Sequence, residues 1–153
     1  MHVVLVYPEI HYNTGNVART CAVTGTGLHL VEPLGFSLED RYLRRAGLDY
    51  WPLVDLTVHP DLDHLFATIG SRPVAFLSAR GRRLYTEIPF SPDLFLVFGR
   101  ESTGLPEELL RDEAKVFRVP MRPIPEARSL NLANTVALVL YEGLRQLGFP
   151  GLA

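Results

Sequence analysis

Three short stretches of this chain combine residue types that hold ligands. They are Asn13-Thr14-Gly15-Asn16, Phe98-Gly99-Arg100-Glu101-Ser102-Thr103-Gly104-Leu105-Pro106, and Arg128-Ser129-Leu130-Asn131-Leu132-Ala133-Asn134. Free backbone N–H groups at a helix start, with amide and hydroxyl side chains beside them, bind anions and the polar edges of ligands. Arg19 stands three residues after Asn16, on the same side of a helix, and adds a guanidinium. Loop amides and a guanidinium together form a grip for a ribose or a phosphate. Gly99, directly after the apolar Leu94–Phe98, permits close approach of a ligand to the backbone. Glu101 fits the roles of base, ligand contact or cap; Ser129 and Asn131 fit capping as well as contact. Three such junctions in one small chain point to one composite site.

The elements that must position these residues alternate. His2–Tyr7 reads as a buried strand, and Asn13–Asn16 as the cap of a helix from about Val17 to Thr24, stopped by Gly25 and Gly27. Leu28–Val31 is strand-like. Ser37-Leu38-Glu39-Asp40 looks like a helix start, with Leu38, Tyr42 and Leu43 at helical spacing and Gly47 as the stop. Val54–Val58 reads as a strand, Pro60–Ile69 as a helix closed by Gly70, and Val74–Leu77 and Leu94–Phe98 as short strands. Pro106–Arg111 is a short helix with Glu107 and Glu108 in its first turn, Val116–Val119 a strand, and Asn131–Leu147 the last helix. Strands alternating with helices predict an α/β fold with a mainly parallel sheet, in a single domain over 1–153. The last helix is apolar all round from Ala137 to Tyr141. One sheet covers one side of it, so its other side is expected to meet a second chain, burial within the monomer being the alternative.

Composition narrows the classes. At 153 residues, with 47% hydrophobic and 21% charged residues, the chain is an ordinary globular one. It carries no signal-peptide pattern and no apolar run that would span a bilayer, so no membrane association is expected. The single Cys21 makes no internal disulfide and a reducing cytoplasm is expected. No Cys/His ligand cluster stands out, so no metal is expected. His2, His11, His29, His59 and His64 are scattered, and only His11 adjoins a polar stretch. A net charge of −2 argues against indiscriminate nucleic-acid binding. Yet all basic residues but Lys115 are arginine, clustered at Arg41/Arg44/Arg45, Arg80/Arg82/Arg83 and Arg118/Arg122/Arg128. Arginine contacts phosphates and stacks on bases, although a solvated arginine surface is the plainer reading of any one cluster. Gly-x-Gly-x-x-Gly, the Walker loop and the Gly-x-Ser-x-Gly elbow are all missing, which removes the commonest nucleotide-binding and hydrolase solutions.

Taken together, Asn13-Thr14-Gly15-Asn16-x-x-Arg19-x-Cys21, Phe98-Gly99-x-Glu101-x-x-Gly104-Leu105-Pro106 and Val119-Pro120-Met121…Arg128-Ser129-Leu130-Asn131-Leu132 resemble motifs 1, 2 and 3 of the SPOUT RNA methyltransferases. The Pro-Glu-Ile before motif 1, Leu43-Arg44-Arg45-Ala46-Gly47-Leu48-Asp49-Tyr50, and Tyr141-Glu142…Arg145-Gln146-Leu147-Gly148 are similar to the small TrmL subgroup. The likeness covers essentially the whole chain. It departs in four places: His11-Tyr12 replaces Pro-Pro, Arg100 a Pro, Ala133 a Ser, and the loop Arg122–Ala127 is about two residues longer.

The resemblance implies S-adenosylmethionine as cofactor and methylation of the ribose 2′-O of the wobble nucleotide, position 34, cytidine or uridine, in tRNA, with tRNA-Leu the expected species. It implies a homodimer that reads the anticodon stem-loop, and a C-terminal deep trefoil knot that holds the cofactor. Carried over residue by residue, the cofactor pocket is formed by Leu77, Ser78, Phe98, Gly99, Glu101, Val119, Met121, Ser129 and Leu130. Arg19 is the residue implicated in activating the ribose hydroxyl, Asn16 holds ribose or phosphate, and Ser129 and Asn131 order the loop and the substrate. Methylation of another tRNA position or of rRNA, and a knotted RNA-binding homologue without catalysis, are the alternatives.

Overall fold

A computed structural model of the chain describes residues 1–39 and 50–153. The described residues build one sheet from seven strands: β1 (His2–Val6), β2 (Gly27–Val31), β3 (Leu56–His59), β4 (Val74–Leu77), β5 (Arg83–Leu84), β6 (Phe95–Phe98) and β7 (Val116–Arg118). Their order across the sheet is β3-β2-β1-β6-β4-β7-β5, and every pairing is parallel. The α-helices among the described residues are α1 (His11–Thr24), α2 (Leu62–Ile69) and α3 (Leu132–Gln146).

Strands covered on both faces need apolar residues at every position. In β1, Val3 and Leu5 enter the core beneath α1 and α3, while Val4 and Val6 enter a second core beneath α2 and the 3-10 turn Glu107–Leu110. All four are fully buried. The sheet follows the expected alternation, and β4 and β7 match within a residue. The strand expected over Val54–Val58 lies at Leu56–His59. The short β5, on the sheet edge inside an arginine cluster, has no apolar pattern to announce it.

The helices differ instructively from the reading. α1 begins at His11, so Asn13–Asn16 are its first turns and no cap. The N-cap residue Ile10 offers no capping side chain. The donor at the N-cap and the one before it are met from elsewhere: the Glu101 carboxylate accepts from Ile10 N at 3.1 Å and from Glu9 N at 2.8 Å. A cap supplied by another segment is invisible to local sequence. α2 begins after Pro60, with Asp61 as its cap accepting from His64 N at 2.7 Å. α3 is capped as expected, Asn131 Oδ1 accepting from Ala133 N and Asn134 N. Of the helix expected to start at Ser37–Asp40 and stop at Gly47, Ser37–Glu39 are described and carry no helix; the remainder, the Arg41/Arg44/Arg45 cluster and the stretch Leu43–Asp49 lie outside the described residues.

Four of the scattered histidines meet. His64 Nδ1 lies 2.8 Å from His59 Nδ1, His59 Nε2 lies 2.9 Å from His29 Nδ1, and His29 Nε2 lies 3.2 Å from His2 Nδ1. Each neutral ring has one donor and one acceptor, so such a chain satisfies itself only while neutral. Burial first, then the charge of His2, pushes His29 down to about 4. Burial also lowers His59 and His2. In the unfolded chain these rings protonate near the ordinary ~6.5. The contribution of His29 is therefore present above about pH 6.5 and is lost as the pH falls toward about 4, and the lowered His2 and His59 act in the same direction. Carboxylates act lower: the bonds from Arg145 and Gln146 hold Glu142 at about 2. Urea midpoints should fall between about pH 7 and about pH 5, by roughly 1–3 kcal/mol of stability. A His29→Gln variant should show a flatter profile over the same window. A wild-type midpoint that does not move there would refute the neutral chain.

Candidate active site

The site lies where open parallel sheets commonly bind ligands, beyond the carboxyl ends of the strands. β4 runs out into Ser78, β6 into Gly99 and β7 into Val119, three adjacent exits on the sheet. Together with the start of α1 and the approach to α3 they enclose a cavity of about 500 Å³. That size suits a ligand of nucleoside dimensions. All nine residues expected around a cofactor line it: Leu77, Ser78 and Phe98 on one wall, Gly99 and Glu101 in the turn, Val119, Met121, Ser129 and Leu130 opposite. Asn131 lines it too.

A polar relay holds these walls together. Glu101 Oε1 accepts from Asn13 Nδ2 at 3.2 Å, besides its two bonds from the start of α1. Asn13 Oδ1 in turn accepts from Asn131 Nδ2 at 2.9 Å. Asn131 then caps α3. Glu101 is thereby committed to donors of this chain, and Asn131 to a cap and a neighbour. Ser129 is free: its hydroxyl has no partner among the described residues. Asn13 is the hub and was missed as a site residue, because its pattern reads locally as a cap. Its 7% exposure in a helix whose neighbours are polar is a purely tertiary fact.

Gly99 owes its identity to the turn. A Cβ built there would lie 2.1 Å from Gly104 C and 2.2 Å from Leu105 N. The reading expected close approach of a ligand; the approaching group is the chain's own backbone. The turn is closed by the Arg100–Gly104 bridge. Arg100, at the position where the resembled motif has proline, places its guanidinium 5.3 Å from the Tyr7 ring centre and 3.8 Å from Glu9. Glu9 accepts from Ser102 N at 3.0 Å and Ser102 Oγ at 2.8 Å. Those bonds, with Arg100 beside them, hold its carboxyl below the usual range.

Asn16 and Arg19 stand apart. Both are exposed on α1, and neither lines the cavity of its own chain. The Arg19 guanidinium lies 5.7 Å from the centre of the Tyr50 ring, whose hydroxyl donates to Gly15 O at 2.6 Å. Helical rise explains the separation: six residues beyond Asn13, Arg19 is about 9 Å further along the axis. Tyr12, Asn16, Arg19 and Val23 form one exposed row on α1, and Asn134, Leu138, Tyr141 and Arg145 a second on α3. The two helices pack against each other. Their rows carry exposed apolar groups, Tyr12 at 65%, Val23 at 63%, Tyr141 at 44% and Leu138 at 41%. His11 is exposed, stacked on Tyr12 and outside the cavity.

Among the described residues no group of three or more His, Cys, Asp or Glu is placed to hold a metal, and no helix is long and apolar enough to cross a membrane.

Known proteins share this architecture. A curated protein of Burkholderia cenocepacia, named tRNA (cytidine(34)-2'-O)-methyltransferase, is 51% identical over 156 residues, covering 98% of this chain and 97% of the relative. A solved structure described as "Structural insights into the 2-OH methylation of C/U34 on tRNA" superposes with a TM-score of 0.84 at 45% identity, covering 96% of this chain and 95% of the other. An AdoMet-bound rRNA methyltransferase from Sinorhizobium meliloti superposes with a TM-score of 0.82 at 26% identity, covering 95% of this chain and 56% of that one. Residues 1–141 match one family throughout, and the chain belongs to it: the SpoU rRNA Methylase family.

Proposed function

We propose that this chain transfers a methyl group from S-adenosylmethionine to the ribose 2′-O of the wobble nucleotide, position 34, of tRNA, with tRNA-Leu as its substrate. The carrying observation is the cavity in which all nine expected cofactor residues converge at the ends of β4, β6 and β7. Full-length relatives named for that reaction support the target. The whole of 1–153 acts as one methyltransferase domain, in the cytoplasm. The stretch from β7 to α3 is the expected knot; β7 pairing beyond β4, with α3 returning over β6, is compatible with such a path.

The residues present fit the cofactor. Leu77, Phe98, Leu105 and Val119 offer apolar walls to an adenine, and the free Ser129 hydroxyl a polar contact. S-adenosylmethionine supplies an electrophilic methyl on a positively charged sulfur. Apolar walls keep water from that carbon and leave the charge uncompensated until an alkoxide arrives.

Arg19 would orient the ribose and stabilise negative charge developing on its 2′ oxygen; the hydroxyl proton is lost to solvent, and the sulfur leaves as a neutral thioether as the O–C bond forms. A guanidinium does not give up its own proton, so it acts as donor and charge. Asn16 holds ribose or phosphate beside it. Neither residue faces its own cavity, so a second copy of the chain supplies them. The exposed rows of α1 and α3 give a homodimer its contact surface, with Leu138 and Tyr141 as apolar anchors.

The direct test is methyl transfer from labelled S-adenosylmethionine to tRNA lacking its wobble methylation, read by nucleoside mass spectrometry and position mapping. The expected product is 2′-O-methylated cytidine or uridine at position 34; a product elsewhere discards the target. Arg19→Ala should lower transfer at least ~100-fold with cofactor affinity nearly unchanged. Loss of cofactor binding in that variant would move Arg19 to the wrong side of the reaction. Gly99→Val should instead force open the 99–104 turn and weaken the cofactor roughly 10-fold or more, with a lower melting temperature. Unchanged cofactor affinity would place the pocket elsewhere.

A further inference from the structure

The chain carries a net charge of −2, so affinity for a polyanion must come from a local surface. Most described arginines are already engaged. Arg80 meets Glu107 at 2.7 Å and Arg82 meets Glu113 at 3.2 Å. Arg83 donates to Ala114 O and lies over Phe117. Arg72 donates to Thr68 O and Ile69 O, and Arg145 to Glu142. The 80–83 cluster therefore ties two segments of this chain together and keeps little charge for a partner.

The stretch between β7 and α3 is different. Arg118, Arg122 and Arg128 are exposed, and none of their guanidinium groups has a partner among the described residues. Glu126 is the one carboxylate in that stretch. An unpaired guanidinium keeps its charge and all five donors for a ligand.

The stretch is also preformed. Ile124 N donates to Arg122 O at 2.8 Å, Ala127 N to Ile124 O at 3.1 Å, and Leu130 N to Met121 Sγ at 3.4 Å. Pro123 and Pro125 restrict the backbone further. A preordered loop loses less entropy on binding. It stands at the right place: Val119, Met121, Arg128 and Ser129 are cavity walls.

We propose that Arg118–Asn131 is the surface that grips the RNA backbone. Arg118 and Arg122 meet phosphates flanking the target nucleotide, and Arg128, on the cavity wall, meets the phosphate nearest the reacting ribose. The inference rests on the tRNA reading above. It assigns the extra length of the 122–127 loop to substrate affinity, separate from cofactor binding.

The test is binding of a tRNA transcript lacking the wobble methyl group across a salt series, comparing wild type with the double variant Arg118→Gln/Arg122→Gln. Each lost phosphate contact flattens the slope of log K against log salt by about 0.7–0.9. The double variant should therefore lose about 1.4–1.8 from the slope and roughly tenfold or more in affinity. Its S-adenosylmethionine affinity and melting temperature should match wild type, which separates a lost contact from a damaged fold. A wild type that methylates the transcript beside a double variant of unchanged slope and affinity overturns this surface alone. A wild type that neither binds nor methylates the transcript overturns both this surface and the proposed function.

Discussion

The carboxylate of Glu101 is the constraint on which the rest of the site depends. It receives the two backbone donors at the start of α1 and the amide of Asn13. A negative charge there also faces the positive end of the helix dipole. Asn13 passes the connection to Asn131, which fixes the first turn of α3. Three segments far apart in sequence are thus locked at the mouth of one cavity. Without the carboxylate, three donors would be left partnerless, at about 1–3 kcal/mol for each that stays buried. The apolar walls of the cavity come from strands that need no such help; their ends are aligned by the parallel sheet itself.

Much of this was legible beforehand, and the boundary is physical. The strands and α3 declare themselves because burial on both faces leaves apolar runs. The nine pocket residues were placed by motif resemblance, and the sheet order explains why they converge. What could not be read is whatever a distant segment decides. α1 starts six residues before Val17 because Glu101, some ninety positions away, caps it. Gly99 is glycine because Gly104 and Leu105 fold back upon it. The four histidines, unremarkable in sequence, meet because β1, β2, β3 and α2 bring them together. Arg19 is the instructive case: local helical spacing rightly put it on one side with Asn16, yet that side faces away from the cavity.

The molecule therefore separates two tasks in space. The cofactor is expected to sit among groups already satisfied by the fold, which keeps its pocket rigid. Beside the pocket, Arg118, Arg122 and Arg128 keep their guanidinium donors unspent along the stretch between β7 and α3. Such a division lets substrate preference vary through a single loop while Glu101, Asn13 and Asn131 stay unchanged. One departure from the resembled motifs, the longer Arg122–Ala127 loop, lies in that stretch.

The relay also bears on how the chain is made. Synthesis proceeds from the N-terminus at roughly 5–20 residues per second. The first turns of α1, rich in poor helix formers, must wait for Glu101, and Asn13 must wait for Asn131, 118 positions later. The nascent helix lacks Glu101 for roughly 4–18 seconds, and Asn13 lacks Asn131 for roughly 6–24 seconds. A chain released early would hold most of its sheet and none of its site. The chain must thus be made through Asn131 before the relay that frames the cavity can close.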